Sequence, residues 1–170
     1  MQTDAVKLYT FAYKEGKTYW VALLFVLGNV LFPQLCHLFN LGGPTWLPIY
    51  FFTLIGAYKY GWQVGLLTAV VSPLCNSALF GMPAVDVLPV IMGKSVLLAL
   101  AAGFTARHYR KVSLGLIGAV VLVYQGVGTL GEWAWTGSLS TALQDVRIGL
   151  PGMFLQWIGG WAVIRYAIRR

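Results

Sequence analysis

The chain has 170 residues, of which 58% are hydrophobic and only 10% are charged. This balance excludes an ordinary soluble domain, in which about 25% of the residues are charged. A membrane-spanning helix needs roughly 20 apolar residues, so the chain has room for about six spans with short loops. We therefore predict an all-α integral membrane protein with one membrane domain over residues 1–170. We expect it to be a multi-pass protein of the cell (inner) membrane.

The net charge of +7 restricts the partners. A nucleic-acid-binding surface needs basic residues clustered on one solvated face, whereas these residues are scattered at the ends of the apolar segments. We therefore predict the lipid bilayer, and no nucleic acid, as the partner of these charges. Cys36 and Cys75 lie in apolar segments without the spacing of a metal site, which favours small buried residues over metal ligands or a disulfide. We predict no cofactor and no metal.

In chain order, a lysine-containing lead over residues 1–17 shows no evident cleavable signal peptide. The apolar segments after it predict spans at about 18–39, 46–60, 63–80, 87–106, 114–130 and 148–168. The second span is near the lower limit for crossing a bilayer. The break after it places Lys59 among aromatic residues, a composition typical of the headgroup interface.

The distribution of Lys and Arg predicts the orientation of the spans. The lead, Lys59, the turn at 107–111 and the C-terminal tail are basic. The alternate loops are acidic or neutral, with Arg147 as their one basic residue; they are residues 40–45, 81–86 and 131–147. By the positive-inside rule, both termini are predicted to be cytoplasmic and the alternate loops to face outward.

Polar residues recur at helical spacing inside several spans. Thr68, Ser72 and Asn76 are four residues apart, which predicts one stripe along the third span. Similar faces toward the predicted outer side comprise Asn29, Pro33, Cys36 and His37 in the first span, and Gln125, Thr129 and Glu132 in the fifth. The sixth span has small residues at near-helical spacing, typical of close packing, with one polar member: Gly149, Gly152, Gln156 and Gly160. Interhelical hydrogen bonding is the alternative explanation of the polar faces.

Lys94 lies in the middle of the fourth span, where a cation is costly unless it is paired or solvated. Counting back from Arg107 at 1.5 Å per residue places it roughly 20 Å up the span, in the outer half. Two interpretations stay open. Lys94 forms a structural pair with Asp86 or Glu132, or its ammonium binds an anionic group of a ligand, for example a carboxylate.

No motif predicts an enzyme. GxSxG and HExxH are absent from the sequence. Gly93-Lys94-Ser95 imitates the end of a P-loop, but Leu88 stands where the first glycine is required, and the setting is an apolar span. We predict no catalytic residues.

An ordered series of small residues and prolines covers the stretch from about residue 45 to residue 107. It comprises Pro48, Gly56, Gly61, Gly65-Leu66, Ser72-Pro73-Leu74, Gly81-Met82-Pro83, Pro89-Val90-Ile91-Met92 and Ala101-Ala102-Gly103. This series resembles the substrate-binding S components of energy-coupling factor (ECF) vitamin transporters, particularly the group with pantothenate- and folate-type members. A weaker similarity is Leu150-Pro151-Gly152 with Gln156 at the start of the last span.

The resemblance implies six membrane helices with cytoplasmic termini and a high-affinity pocket for a vitamin or related small molecule near the outer face. It also implies a lid over that pocket from the loop between the first two spans. A coupling membrane subunit and two ATPase subunits would supply the energy, since this chain has no complete ATP-binding motif.

The polar faces and the outer aromatic residues supply the predicted substrate-binding set. We expect Trp46 and Trp133 either to stack on a ring of the ligand or to belong to the interfacial aromatic belt. The full set is Lys94, Asn76, Ser72, Gln125, Asn29, His37, Glu132, Trp46 and Trp133.

A second hypothesis is a non-enzymatic membrane scaffold, similar in size and topology to the small rod-shape-determining membrane proteins. A scaffold gives no reason for polar faces of several helices to converge toward the outside. Ligand binding by the purified protein discriminates between the two hypotheses.

Overall fold

The computed structural model of the protein describes residues 6–38 and 43–168, and this part of the chain is all-helical. Four of its helices are long and apolar enough to cross a membrane: α1 (Gly16–Leu38), α4 (Trp62–Phe80), α5 (Leu88–Tyr109) and α6 (Leu114–Thr136). The predicted all-α class with membrane-spanning helices is thereby confirmed for four candidate spans. The count of six and the orientation of the termini stay predictions.

The remaining helices are shorter. Between α1 and α4 lie α2 (Gly43–Trp46) and α3 (Pro48–Tyr60), and α7 (Leu139–Ile148) follows α6. The chain then forms a C-terminal helical segment, which consists of α8 (Leu150–Phe154), a π-helical turn (Leu155–Gly159), α9 (Gly160–Ala162) and a second π-helical turn (Val163–Ala167).

Helix α3 is the centre of the bundle. Its 13 residues reach only about 20 Å, less than the roughly 30 Å hydrocarbon core of a bilayer. Helices α1, α4 and α5 and the C-terminal helical segment all pack against it, and Leu54, Ile55 and Tyr58 are completely buried. A helix that is apolar on all sides fits this interior position. Most of the second predicted span thus forms a short helix in the core of the bundle.

A backbone break separates α2 from α3, although one continuous segment over 46–60 was predicted. Leu47 has φ 45° and ψ 45°, a left-handed conformation that ends α2. Pro48 then begins α3, at a position where the missing N–H of proline breaks no helical hydrogen bond.

The C-terminal helical segment runs parallel to α3 in close contact with it. A Cβ atom at Gly152 would lie 2.5 Å from the carbonyl carbon of Trp46, and one at Gly160 would lie 2.9 Å from Cδ2 of Leu54. Only glycine permits such an approach at Gly152, since the obstacle is backbone. The close packing predicted from the glycine spacing is confirmed.

Residues 131–147 were predicted as a loop and are mostly helical. No proline interrupts α6, and the helix continues through Gly131 to Gly137. The left-handed backbone of Gly137 (φ 67°) caps α6 by donating its N–H to the carbonyl of Trp133. Helix α7 follows two residues later. In the other predicted outer loop, residues 39–42 lie outside the described residues.

Residues 6–12 of the lead form an extended strap across the end of α3. The backbone N–H groups of Tyr9 and Phe11 donate to the carbonyls of Lys59 and Tyr60 at 2.8 and 3.1 Å. The ammonium of Lys59 donates in turn to the carbonyl of Lys7 at 2.5 Å. Lys59 is completely buried, because the strap covers it. Its aromatic neighbours in the sequence had instead indicated a position at the membrane interface.

Basic residues of separate segments meet at the same end of the bundle as the strap. The hydroxyl of Tyr58 donates to the carbonyl of Lys111 at 2.8 Å, which ties the end of α3 to the end of α5. We call this the basic end, defined by residues 6–17, 58–62 and 107–111. Helices α2 and α7 and the turn at 81–87 lie at the opposite end, as the alternation of the long helices requires.

Candidate binding site

An interhelical cluster of amides and hydroxyls joins α1, α3 and α4. The Asn29 side chain donates from Nδ2 to Oγ1 of Thr53 at 3.0 Å and to Oγ of Ser72 at 3.2 Å. Its Oδ1 accepts the backbone N–H of Phe52 at 3.2 Å. Asn76 donates from Nδ2 to the carbonyl of Asn29 at 3.0 Å. All of these side chains are at most 2% exposed.

The stripe predicted on α4 supplies half of this cluster. Thr68, Ser72 and Asn76 are buried together, and the hydroxyls of Thr68 and Ser72 donate to carbonyls one turn earlier in the helix. Asn29 and Ser72 therefore have the internal partners expected of interhelical adhesion. In the cluster, Oδ1 of Asn76 has no hydrogen-bond partner among the described residues.

An ion pair connects α5 and α6 in the half of the bundle away from the basic end. Nζ of Lys94 lies 2.5 Å from Oε2 of Glu132, and the side chains are 2% and 11% exposed. The stem of Lys94 passes over Gly128, where a Cβ atom would lie 2.8 Å from its Cγ. Of the two predicted acidic partners, the structure selects Glu132, while Asp86 is exposed.

A cavity of about 390 Å³ opens beside this ion pair, between α5 and α6. Lys94, Glu132 and Trp135 line it together with three glycines: Gly93, Gly128 and Gly131. Gly93 and Gly131 would meet no atom within 4 Å if they carried a Cβ, so the walls are open at these points. The buried charges are thus within reach of a molecule in the cavity.

Four buried polar side chains with unused hydrogen-bonding atoms lie on α5, α6 and the C-terminal helical segment, in the interior behind the cavity lining rather than in it. Both ends of the Gln125 amide lack a partner among the described residues, although the side chain is only 3% exposed. The same holds for the hydroxyls of Ser95 and Thr129 and for Nε2 of Gln156. We call Ser95, Gln125, Thr129 and Gln156 the unpaired layer. A buried group without a partner costs about 1–3 kcal/mol, so these four offer donors and acceptors to a polar molecule.

On α6, two members of this layer share a helix face with Glu132 of the ion pair. Gln125, Thr129 and Glu132 are spaced by four and three residues, which places them on one helix face, as the sequence predicted. The hydroxyl of Tyr124, one residue before Gln125, donates to Oε1 of Gln156 at 2.8 Å and links α6 to the C-terminal helical segment.

The predicted aromatic and histidine residues are placed differently. Trp133 is 45% exposed, and Trp135, two residues later, lines the cavity instead. Trp46 is half-buried and His37 is exposed at the end of α1. Of the nine predicted site residues, Lys94 and Glu132 meet at the cavity, and Asn29, Ser72 and Asn76 meet in the interhelical cluster.

Sequence reasoning missed Thr53, Ser95 and Gln156 as site residues. Thr53 is the one aliphatic hydroxyl in the apolar sequence of α3, which was a usable signal. Gln156 was recognised only as the polar member of a packing face.

Chemically, the cavity provides a cation and an anion. The unpaired layer provides amides and hydroxyls in the adjoining interior, where Ser95 follows Lys94 and Thr129 follows Gly128 in the sequence. This is the composition of a small-molecule site, which needs a few placed polar groups in mostly apolar walls. No protein-family model, curated protein or solved structure matches the chain. The resemblance to ECF S components therefore stands as a proposal.

Proposed function

We propose that this protein is the substrate-binding subunit of an uptake system similar to the ECF vitamin transporters. It binds a vitamin or related small molecule within the membrane with high affinity, has six membrane segments with both termini in the cytoplasm, and has no enzymatic activity. The observation that carries the proposal is the unpaired layer beside the Lys94–Glu132 pair.

The unpaired layer favours a ligand-binding protein over a membrane scaffold. Interhelical adhesion accounts for the Asn29 cluster, because its donors and acceptors bond one another, except for Oδ1 of Asn76. Adhesion does not account for Gln125, whose buried amide has no partner at either end among the residues that the structure describes. A bound molecule with its own donors and acceptors would compensate the cost of burying that amide.

The energy for uptake is proposed to come from a coupling membrane subunit and two ATPase subunits. Lys94 of the Gly93-Lys94-Ser95 sequence lies within α5 and pairs with Glu132. It is therefore not part of a loop that cradles phosphate groups, as ATP binding by a P-loop requires.

Thermal-shift screening of the purified protein against a panel of vitamins tests the binding function. We expect at least one compound to raise the unfolding temperature of the wild type, since binding to the folded state stabilises it. Gln125→Leu should abolish that shift while the protein still folds. Gln34→Leu, which removes an amide from α1 away from the unpaired layer, should keep it. A folded wild-type protein that no compound stabilises would favour the scaffold.

Reconstitution tests the energy source. The protein alone in liposomes should bind ligand without accumulating it, and co-expression with coupling and ATPase subunits should produce ATP-dependent uptake. Concentrative uptake by the purified protein alone, with no ATP, would contradict the proposal.

A further inference from the structure

A second cavity, of about 530 Å³, lies at the basic end, far along α5 from Lys94. The backbone of the strap forms one wall, the start of α4 forms another, and the last turns of α5 form the third. The nine lining residues include Thr10, Gly61, Trp62, Gly103, Arg107 and Arg110. Two of them are arginines and none is acidic, so the cavity favours an anion.

Close backbone contacts fix the walls of this cavity. A Cβ atom at Gly103 would lie 2.8 Å from the backbone nitrogen of Trp62, so the first turn of α4 rests directly on α5. Gly61 has φ +106°, and a Cβ atom there would lie 3.2 Å from Cα of Thr10. The strap and the start of α4 are thus held against each other without intervening side chains.

The charged groups around the cavity suit a phosphate. Arg107 lies one turn beyond Gly103 on α5, and Arg110 follows at the end of the same helix. Guanidinium groups bind phosphate oxygens through two parallel hydrogen bonds. The first turn of α4 has no acidic residue and no side-chain cap, so its N–H groups add to the positive potential of the arginines.

An apolar groove of about 470 Å³ continues from this cavity along the outside of α5. It is lined by Trp62, Leu100, Ala101, Phe104 and Arg107, and it shares Trp62 and Arg107 with the cavity. Phe104 is 71% exposed and Leu100 is 42% exposed, which places the groove on the outer surface of a helix that is a candidate membrane span. A polar anion site that leads into an apolar surface groove has the shape of a lipid site.

We propose that the cavity binds the phosphate of an anionic phospholipid and that an acyl chain of this lipid lies in the groove of Trp62, Leu100, Ala101 and Phe104. Anionic headgroups attract basic segments at the membrane surface, and here two exposed arginines line one side of a cavity of headgroup size. This site is independent of the substrate site and of the proposed transport function.

Titration of short-chain phosphatidylglycerol into the purified protein in neutral detergent, followed by native mass spectrometry, tests the site. The wild type should retain one lipid. Arg107→Gln/Arg110→Gln should weaken this binding by roughly 10- to 30-fold, the effect of removing two basic groups at a membrane surface. Lys17→Gln/Lys111→Gln removes the same charge from exposed positions of the basic end outside the cavity, and should change binding by less than about threefold.

Arg107→Lys/Arg110→Lys should bind more weakly than the wild type but more tightly than the glutamine variant, because lysine keeps the charge without the bidentate geometry. Equal weakening by the cavity variant and the Lys17/Lys111 variant would overturn the site in favour of general charge attraction. Unchanged binding by a folded Arg107→Gln/Arg110→Gln protein would overturn it as well.

Inorganic phosphate and glycerol phosphate distinguish a lipid from a soluble anion. We expect both to bind much more weakly than phosphatidylglycerol, since they leave the groove empty. Ala101→Trp, which fills the groove, should weaken lipid binding and leave phosphate binding unchanged, with the unfolding temperature as a check on folding. Inorganic phosphate that binds as tightly as the lipid would overturn the lipid as the occupant.

Discussion

Lys94 on α5 and Glu132 on α6 form an ion pair 38 residues apart in the chain, with 2.5 Å between Nζ and Oε2. Both side chains are almost removed from solvent. The desolvation of two charges offsets much of their attraction, so such a pair contributes little net stability, while the loss of one partner leaves an uncompensated buried charge. The pair therefore makes its two members interdependent.

Single and double replacement should separate these effects. Lys94→Met and Glu132→Leu should each lower the free energy of unfolding by about 3 kcal/mol, and the double variant should recover most of that loss. Titration with sodium dodecyl sulfate in mixed micelles measures the free energy of unfolding of the two single variants and of the double variant. Additive losses in the double variant would show that the two residues are not energetically coupled.

Ligand binding by the same double variant tests whether Lys94 also contacts the ligand. If its ammonium meets an anionic group of the ligand, the affinity of Lys94→Met/Glu132→Leu should fall by one to two orders of magnitude, as expected for the loss of a charged hydrogen bond of about 1.5–3 kcal/mol. Calorimetry with a compound found in the vitamin screen measures this. Unchanged affinity in the folded double variant would remove Lys94 from the site.

Asn29 should be the most important member of the interhelical cluster. Asn29→Ala removes three hydrogen bonds to α3 and α4, and at about 0.6 kcal/mol each within a membrane protein the loss is about 2 kcal/mol. Gln34→Ala is the control, since this amide on the same helix has no hydrogen bond among the described residues. In detergent, the unfolding temperature of Asn29→Ala should be well below that of Gln34→Ala. Equal unfolding temperatures would contradict a stabilising role of the cluster.

Hydropathy and the four-residue spacing of Thr68, Ser72 and Asn76 predicted much of the fold, because both patterns arise within single helices. The role of α3 was not predictable in the same way. A short apolar segment has the same composition whether lipid or other helices surround it. Only the packing of the neighbouring helices determines which of the two environments it has. The burial of Lys59 likewise depends on the strap, whose hydrogen bonds involve backbone groups that carry no sequence signal.

For the candidate site, the sequence identified the face of Gln125, Thr129 and Glu132, since one helix carries all three residues. It also included Glu132 among the two acidic partners proposed for Lys94. It did not choose between them, because that choice depends on how α5 and α6 pack. Gly128 on α6 shows this dependence, because its missing side chain leaves room for the stem of Lys94.

Gly152 provides a direct test of the close contact between the C-terminal helical segment and the α2–α3 junction. Gly152→Ala introduces a methyl group 2.5 Å from backbone atoms of Trp46, which should cost about 1–3 kcal/mol by overpacking. Gly126→Ala, at a helical glycine with nothing within 4 Å, should be neutral or stabilising because alanine favours the helix. Thermal unfolding of the pair measures the difference, and the contact is refuted if the two variants behave alike.

Lys59 should hold the strap closed against the end of α3. Its ammonium donates to the carbonyl of Lys7 and lies 5.4 Å from the ring centroid of Tyr9. Lys59→Met keeps most of the stem but removes a charged hydrogen bond of about 1.5–3 kcal/mol, so local opening of the strap should become roughly 10- to 100-fold more frequent. When opening is fast relative to cleavage, tryptic cleavage after Lys7 should accelerate by the same factor, as followed by mass spectrometry of the purified protein. Lys111→Met, which removes an exposed cation from the same end, should leave that rate unchanged. A Lys59→Met protein cleaved after Lys7 at the wild-type rate would show that the backbone hydrogen bonds of Tyr9 and Phe11 hold the strap without the ammonium.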